Sequence, residues 1–379
     1  MIPEHPINRD STPDASETLK RFRKEDGMSK YLAERYQTIE VYTPGEQPQN
    51  RRYIKLNTNE SPYPPAPAVS DAVRREAGRL ELYSDPTCWE LRSALARRYG
   101  GRAENVFVSN GSDEILSFAF MAFGGCGKKV YFPDISYGFY RVYADLYGYP
   151  SSMIPLREDF SIDCSDYVGL DGFIVIANPN APTGMALKLE QMIRIIESNP
   201  DHVVLVDEAY IDFGAESCVR LTDRYENLLV VQTFSKSRSM AGARLGFAIG
   251  QESLIRDLEV IKYSTNPYNV NRMTLAAGLA SLSDENYTVE NCRKIIEVRD
   301  TTTQKLTEMG FQVLPSSANF VFARHPGYSG TDLYQKLKEE GVLVRHFNTP
   351  RTADFLRITI GTSEQMDVLM NALNRIMEV

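Results

Sequence analysis

Four polar clusters hold the side chains best suited to chemistry. They are Asn110-Gly111-Ser112-Asp113-Glu114, Asn178-Pro179-Asn180-Ala181-Pro182-Thr183-Gly184, Asp207-Glu208-Ala209-Tyr210 and Thr233-Phe234-Ser235-Lys236. Each follows a short apolar run: Val106 to Ser109, Gly172 to Ala177, Val203 to Val206 and Leu229 to Thr233. In open α/β sheets, ligands bind outside the carboxyl ends of the strands. This spacing would therefore gather an aspartate, a tyrosine, a serine, a lysine and backbone N–H groups around one crevice. Where Gly111 opens a helix, unpaired N–H groups and the helix dipole suit an anion. Taken singly, each residue has a plainer reading. Lys236 would be a solvated loop lysine, Asp207 a strand-end carboxylate or helix cap, and Ser112 or Asp113 a helix cap. Tyr210 and Tyr137 would be packing tyrosines.

The elements that must position these clusters alternate in type. Helices are expected at Ser112 to Phe123, Tyr137 to Tyr147 and Leu189 to Ser198, with a further strand at Lys129 to Pro133. Short apolar runs of this kind suit strands covered on both faces. The alternation argues for an α/β domain with a mostly parallel sheet. From about Asn266 the composition changes, and a long polar helix is expected from Asp284 to Met309. After it come strand and helix signals at Asn319 to Ala323, Thr331 to Glu340, Val342 to Arg345, Phe355 to Ile360 and Ser363 to Met377, read as a smaller α+β domain. Before the sheet, Ser61 to Pro67 carries four prolines and reads as a rigid extended connector. The first forty or so residues are charged and weakly periodic, and read as a flexible arm or short surface helices.

Composition narrows the class. A chain of 379 residues has length for roughly two to three domains. With 42 Lys+Arg against 50 Asp+Glu, the net charge of -8 makes it a poor binder of nucleic acid or membrane surfaces. The longest apolar stretch, Phe118 to Phe123, is far short of the ~20 residues a membrane helix needs. Met1 to Lys30 lacks the apolar centre of a signal peptide. Five scattered cysteines without a C-x-x-C fit a reducing cytoplasm, and the four histidines lack metal-ligand spacing, so no metal is expected. No G-x-S-x-G, H-E-x-x-H or G-x-G-x-x-G occurs.

The clusters, in their order and spacing, resemble the fold-type I pyridoxal phosphate enzymes of the aspartate aminotransferase superfamily, and within it the histidinol-phosphate aminotransferase family. The resemblance runs from about Tyr42 to the C-terminus. Besides the clusters it rests on Tyr42-Thr-Pro-Gly-Glu, Leu56-Asn-Thr-Asn-Glu-Ser-Pro-Tyr63, Tyr83-Ser-Asp-Pro86, Asp207-Glu-Ala-Tyr-Ile-Asp-Phe213, Ala241-Gly-Ala-Arg244-Leu-Gly246 and Leu356-Arg357-Ile-Thr-Ile-Gly361. It implies a large mostly parallel-sheet domain at 61–270, a linker helix and small α+β domain at 271–379, and an arm with part of the small domain at 1–60. It also implies a cytoplasmic homodimer with shared active sites that exchanges an amino group between a small-molecule donor and a keto acceptor.

Residue roles follow from the resemblance. Lys236 would carry the pyridoxal phosphate and move the substrate proton. Asp207 would pair with the pyridine nitrogen, and Tyr210 with the ring oxygen. Gly111, Ser112, Asp113, Ser235 and Arg244 would bind the cofactor phosphate, and Tyr137 would stack on the ring. Tyr83 would reach the cofactor phosphate of the neighbouring subunit. Arg357 would clamp a substrate carboxylate, Arg345 and Tyr42 would bind a substrate phosphate, and Asn59 would line the same pocket. One departure stands out. The family has asparagine before Pro-Thr-Gly, where this chain has Ala181. Either Asn180 takes over its contact with the ring oxygen or Tyr210 serves alone. Three other readings stay open: an aminotransferase for aromatic amino acids, a decarboxylase of a phosphorylated amino acid such as threonine phosphate, and a catalytically silent cofactor-binding module. The arm, Met1 to about Tyr36, is expected to order as a lid when substrate binds.

Overall fold

The computed structural model describes residues 29–48, 51–125 and 127–377. Most of the arm, and Cys126, lie outside them. The strands, in chain order, are β1 (Ile54–Lys55), β2 (Val106–Ser109), β3 (Lys129–Pro133), β4 (Ser151–Ile154), β5 (Gly172–Ala177), β6 (Val204–Asp207), β7 (Leu228–Thr233) and β8 (Gly246–Gly250). After the long Glu285–Glu308 helix come β9 (Gln312–Val313), β10 (Phe320–Arg324), β11 (Val342–Leu343), β12 (Arg345–His346) and β13 (Phe355–Thr359).

Seven strands form one sheet in the order β2-β8-β7-β6-β5-β3-β4. β8 alone runs against its neighbours. β5, β7 and β8 are buried at every residue, as strands covered on both faces must be. Alternate side chains face opposite layers. Ile174, Ile176, Val204 and Val206 pack with Leu95, Met192 and Ile195, whereas Phe173, Val175 and Leu205 pack with Leu116, Phe120 and Tyr140. At roughly 1.5–3 kcal/mol per buried large apolar side chain, these two layers dominate the stability of the large sheet.

The smaller unit is an antiparallel sheet, β12-β13-β10-β9, under the helices Glu285–Glu308, Gly330–Glu339 and Ser363–Met377. The expected single strand at Val342 to Arg345 is instead two. β11 pairs in parallel with β1, and β12 pairs with β13, the chain changing sheets at Val344. The unbroken apolar run Val342-Leu343-Val344 hides such a change of partner.

Other differences have local causes. The expected helix at Tyr137 begins only at Phe139, with Gly138 as its cap. The proline-rich connector stops at Pro67, which opens the Pro67–Ala77 helix. Proline suits that first position because its missing N–H would be unpaired there anyway. The helices Trp89–Tyr99, Glu252–Thr265 and Arg272–Ser283, and the strands β1, β4 and β8, add to the expected elements. No helix among the described residues is long and apolar enough to cross a membrane.

Candidate active site

The strand ends converge as their spacing suggests. Asp207 ends β6, and the chain leaves β7 at Thr233 toward Ser235 and Lys236. It returns through Arg244 into β8, where Gly246 lies beside both Thr233 and Ser109. Reversal of β8 thus brings Lys236 and Arg244 to the same sheet edge. On the far side of Gly246, β2 feeds Gly111 and the Ser112–Phe123 helix. That helix has no side-chain cap, and Gly111 holds φ +85, which glycine adopts freely.

An inner chamber of about 330 Å³ opens at this edge. Its wall includes Ser112, Asp113, Tyr137, Asp207, Tyr210, Ser235, Lys236 and Arg244. Gly111 lies behind Arg244: a β-carbon there would come within 2.7 Å of Arg244 Nη2. Asp113 organises the rim. It accepts from Arg244 Nη2 at 2.8 Å and from the Tyr137 hydroxyl at 2.7 Å. Both its carboxyl oxygens are taken up as acceptors, so an anion at this helix end would meet its backbone N–H.

Asp207 is buried at the chamber floor, accepting from the Tyr140 hydroxyl at 2.8 Å and Ala209 N–H at 3.2 Å. Burial pushes its carboxyl up to about 6, against those two hydrogen bonds. Lys236 Nζ donates to the Thr58 carbonyl at 3.2 Å and lies 5.8 Å from the Tyr210 ring centre. Burial first, and the Arg357 charge next, pull its ammonium down to about 8. The Tyr210 hydroxyl accepts from Asn59 Nδ2 at 2.9 Å. Burial raises the Tyr210 phenol, while Arg357 and the Asn59 hydrogen bond oppose the rise.

A second, outer chamber of about 460 Å³ shares Thr58, Tyr137, Ala181, Tyr210 and Lys236 with the first. Tyr42, Asn59, Arg345 and Arg357 line it. Tyr42 stacks on Phe139 at 4.3 Å between ring centres. Arg345 donates to the Thr43 and Pro44 carbonyls at 2.8 and 3.0 Å. Arg357 Nη2 donates to the Asn57 carbonyl at 2.9 Å, and its buried Nε has no partner among the described residues. Burial pulls the Arg357 guanidinium below its usual range, and the Arg345 charge adds to this. An orphaned buried cation of this kind is suited to an incoming anion.

Besides Gly111, which stands behind Arg244, two expected residues are not brought into the chambers. Asn180 is buried and turned away: its Nδ2 donates to the Ile135 carbonyl and Thr183 Oγ1, and its Oδ1 accepts from Ser136. The chamber wall at this point is Ala181. Tyr83 is 81% exposed, stacked on Tyr268 at 4.5 Å, and lies outside both chambers of its own chain. Two others were not anticipated as site groups. Glu60 lines the inner chamber beside Thr58; it stands within the Leu56 to Tyr63 motif, which was its available signal. Tyr140 reaches the site only because its helix crosses the end of β6, and nothing local in the sequence marks that.

Comparison with known proteins follows the same lines. The family model for aminotransferase class I and II matches residues 51–373. A histidinol-phosphate aminotransferase of Brachyspira hyodysenteriae is 50% identical over 353 residues, spanning 93% of this chain and 100% of that one. The crystal structure of histidinol-phosphate aminotransferase from Sinorhizobium meliloti, solved with pyridoxal 5'-phosphate, superposes with TM-score 0.84 at 24% identity, covering 93% of this chain and 99% of that one. The L-threonine-O-3-phosphate decarboxylase of Porphyromonas gingivalis superposes with TM-score 0.76 at 21% identity, covering 86% and 99%. A fold shared by a transaminase and a decarboxylase does not choose between their reactions.

Proposed function

The chain belongs to the class I and II aminotransferases, within the histidinol-phosphate aminotransferase family, and from that premise we propose that its two chambers hold pyridoxal phosphate and a phosphate-bearing amine. The reaction is L-histidinol phosphate with 2-oxoglutarate giving imidazole-acetol phosphate and L-glutamate, a step of histidine biosynthesis. The observation that carries this reading is the pair Arg345 and Arg357 in a chamber that opens directly onto Lys236.

The residues fit the cofactor. The uncapped helix end at Ser112 and Asp113, with Arg244 packed against Gly111, makes a cradle for a phosphate. Asp207, a buried carboxylate with no cation bonded to it, suits a protonated ring nitrogen, whose charge would draw its pKa back down. When bound, pyridoxal phosphate stores the amino group between the two half-reactions and accepts the electron pair left at the substrate carbon.

The chain's own groups divide the remaining work. Ser112 and Asp113 N–H groups, Ser235 and Arg244 bind the phosphate. Tyr137 covers the ring face. Tyr210 offers a phenol proton to the ring oxygen, without help from Asn180. Lys236, with its ammonium lowered to about 8, can shed its proton near neutral pH and then take the one on the substrate's α-carbon. Arg357 holds the carboxylate of glutamate, and Arg345 with Tyr42 the phosphate of the other substrate. Tyr42, Tyr137 and Phe347 give the outer chamber an aromatic wall against water.

We assign the active unit as a homodimer, in which the exposed Tyr83 of one copy reaches the cofactor phosphate of the other. The division at about residues 60 and 270, and a cytoplasmic setting, belong to the same reading. The pairing of β1 with β11 supports the first, and the four cysteines among the described residues, all buried and unpaired, support the second. Titration of the visible spectrum with L-histidinol phosphate, L-phenylalanine and L-glutamate tests the substrate. Conversion of the cofactor to its amine form by histidinol phosphate and glutamate at low concentration is expected. Strong conversion by phenylalanine and none by histidinol phosphate would move the enzyme to the aromatic aminotransferases. Release of carbon dioxide from threonine phosphate would make it a decarboxylase.

A further inference from the structure

Three consecutive residues each hold a different side chain of the site. Asn57 and Thr58 use their carbonyls, on Arg357 and Lys236, but Asn59 uses its carboxamide, on Tyr210. Asn59 is 1% exposed and holds φ +56, a left-handed backbone that non-glycine residues adopt only when their surroundings enforce it. The enforcement comes from the small unit. Asn59 N–H donates to Thr359 Oγ1 at 3.0 Å, the Thr359 hydroxyl donates to Asn59 Oδ1 at 3.0 Å, and Asn319 Nδ2 donates to the Asn59 carbonyl at 3.0 Å.

This arrangement sets the direction of every proton. The Thr359 hydroxyl accepts from Asn59 N–H and gives its own proton to Asn59 Oδ1. The carboxamide is thereby fixed with Nδ2 toward Tyr210, and the phenol oxygen is the acceptor in that contact. Among the described residues nothing accepts the phenol's own proton. With Ala181 in the wall and Asn180 turned away, no carboxamide from that loop shares the task.

We propose that Asn59 is the positioning residue of Tyr210, engaging the phenol oxygen from the small-unit side so that the Tyr210 proton is directed into the inner chamber. A hydrogen bond received at the oxygen also makes the phenol a stronger donor. The inference rests on pyridoxal phosphate occupying that chamber, with its ring oxygen as the acceptor. A proton given to that oxygen steadies its negative charge, and lowers the pH at which the bound cofactor loses its own proton.

The test is the pH dependence of the visible absorbance of cofactor-loaded protein without substrate, together with the affinity of cofactor-free protein for pyridoxal phosphate. Asn59→Gly removes the carboxamide while keeping the left-handed backbone and its two backbone hydrogen bonds. Thr359→Val frees the carboxamide to rotate without touching Tyr210. Both midpoints should move up by about half a unit, in the direction of a larger shift in Tyr210→Phe. The affinity of Asn59→Gly should fall about threefold to tenfold. Adding Asn59→Gly to Tyr210→Phe should move the midpoint no further. A wild-type midpoint in Asn59→Gly, with Tyr210→Phe shifted, overturns the proposal, as does a shift that persists in the double variant. A wild-type protein that shows no cofactor band overturns the underlying functional reading instead.

Discussion

Arg345 and Arg357 stand directly opposite one another on the antiparallel strands β12 and β13, two cations side by side in one chamber. Their mutual repulsion is relieved when an anion enters, and two anionic groups can be held at once. Arg345→Ala should raise KM for histidinol phosphate by about 10- to 100-fold, the worth of a charge-assisted hydrogen bond. Half-reaction kinetics with L-glutamate should change little. An equal loss on both substrates would mean that Arg345 does not select the phosphate.

Gly111→Ala should weaken the cofactor's hold. A methyl group at φ +85 and ψ 166, a region almost confined to glycine, is strained by about 1–3 kcal/mol. It would also meet Arg244 Nη2 at 2.7 Å and push that guanidinium off its site. Loss of about 10-fold in pyridoxal phosphate affinity is expected, read by spectral titration of cofactor-free protein.

Asp207→Asn should stabilise the cofactor-free fold while abolishing tight cofactor binding. The Asp207 carboxyl rises from 3.8 to about 6 on folding, so the folded state binds the extra proton between those values. Stability then falls as pH rises through that window, and the full penalty, on the order of 3 kcal/mol, stands above it. The variant should melt a few degrees higher at pH 7.5, with the advantage gone by about pH 4. An unchanged gap across that range would show that the carboxylate is not the cause.

Lys236 should react with amine reagents in cofactor-free protein with a midpoint near 8, well below exposed lysines. Arg357→Ala should raise that midpoint, since the Arg357 charge is the strongest of those depressing it. Peptide mapping after pulse labelling across pH measures both. A midpoint unmoved by Arg357→Ala would leave burial, with the smaller push of the Arg244 charge, as the cause.

Much of the site could be read from residue order. Asp207, Ser235 and Lys236 are legible because buried apolar strands deliver them, and a run such as Gly172 to Ala177 has few other folds open to it. Groups supplied from elsewhere were hidden. Tyr140 supports Asp207 across 67 residues, and Asn59 meets Tyr210 across 151. No periodicity marks such pairs, because tertiary packing alone creates them. Asn180 was misplaced for the converse reason: its chemistry suits a cofactor contact, but Ile135, Ser136 and Thr183 satisfy it inside the loop. β8 escaped because Gly246-Phe-Ala-Ile-Gly250 is short and glycine-bounded, and gives no sign of its reversed direction.

The pairing of β1 with β11 sets an order of events during synthesis. The large sheet is complete once β8 has emerged, since all its strands lie between residues 106 and 250. The segment holding Lys236, Tyr210 and Arg357 cannot dock then. Ile54 N–H needs the Gly341 carbonyl, Leu56 N–H the Leu343 carbonyl, and Asn59 needs Thr359. Residues made near the start must wait for partners made near the end. A nascent chain can therefore own a folded cofactor cradle while still on the ribosome, yet its reaction chamber closes only after the last strand has been translated.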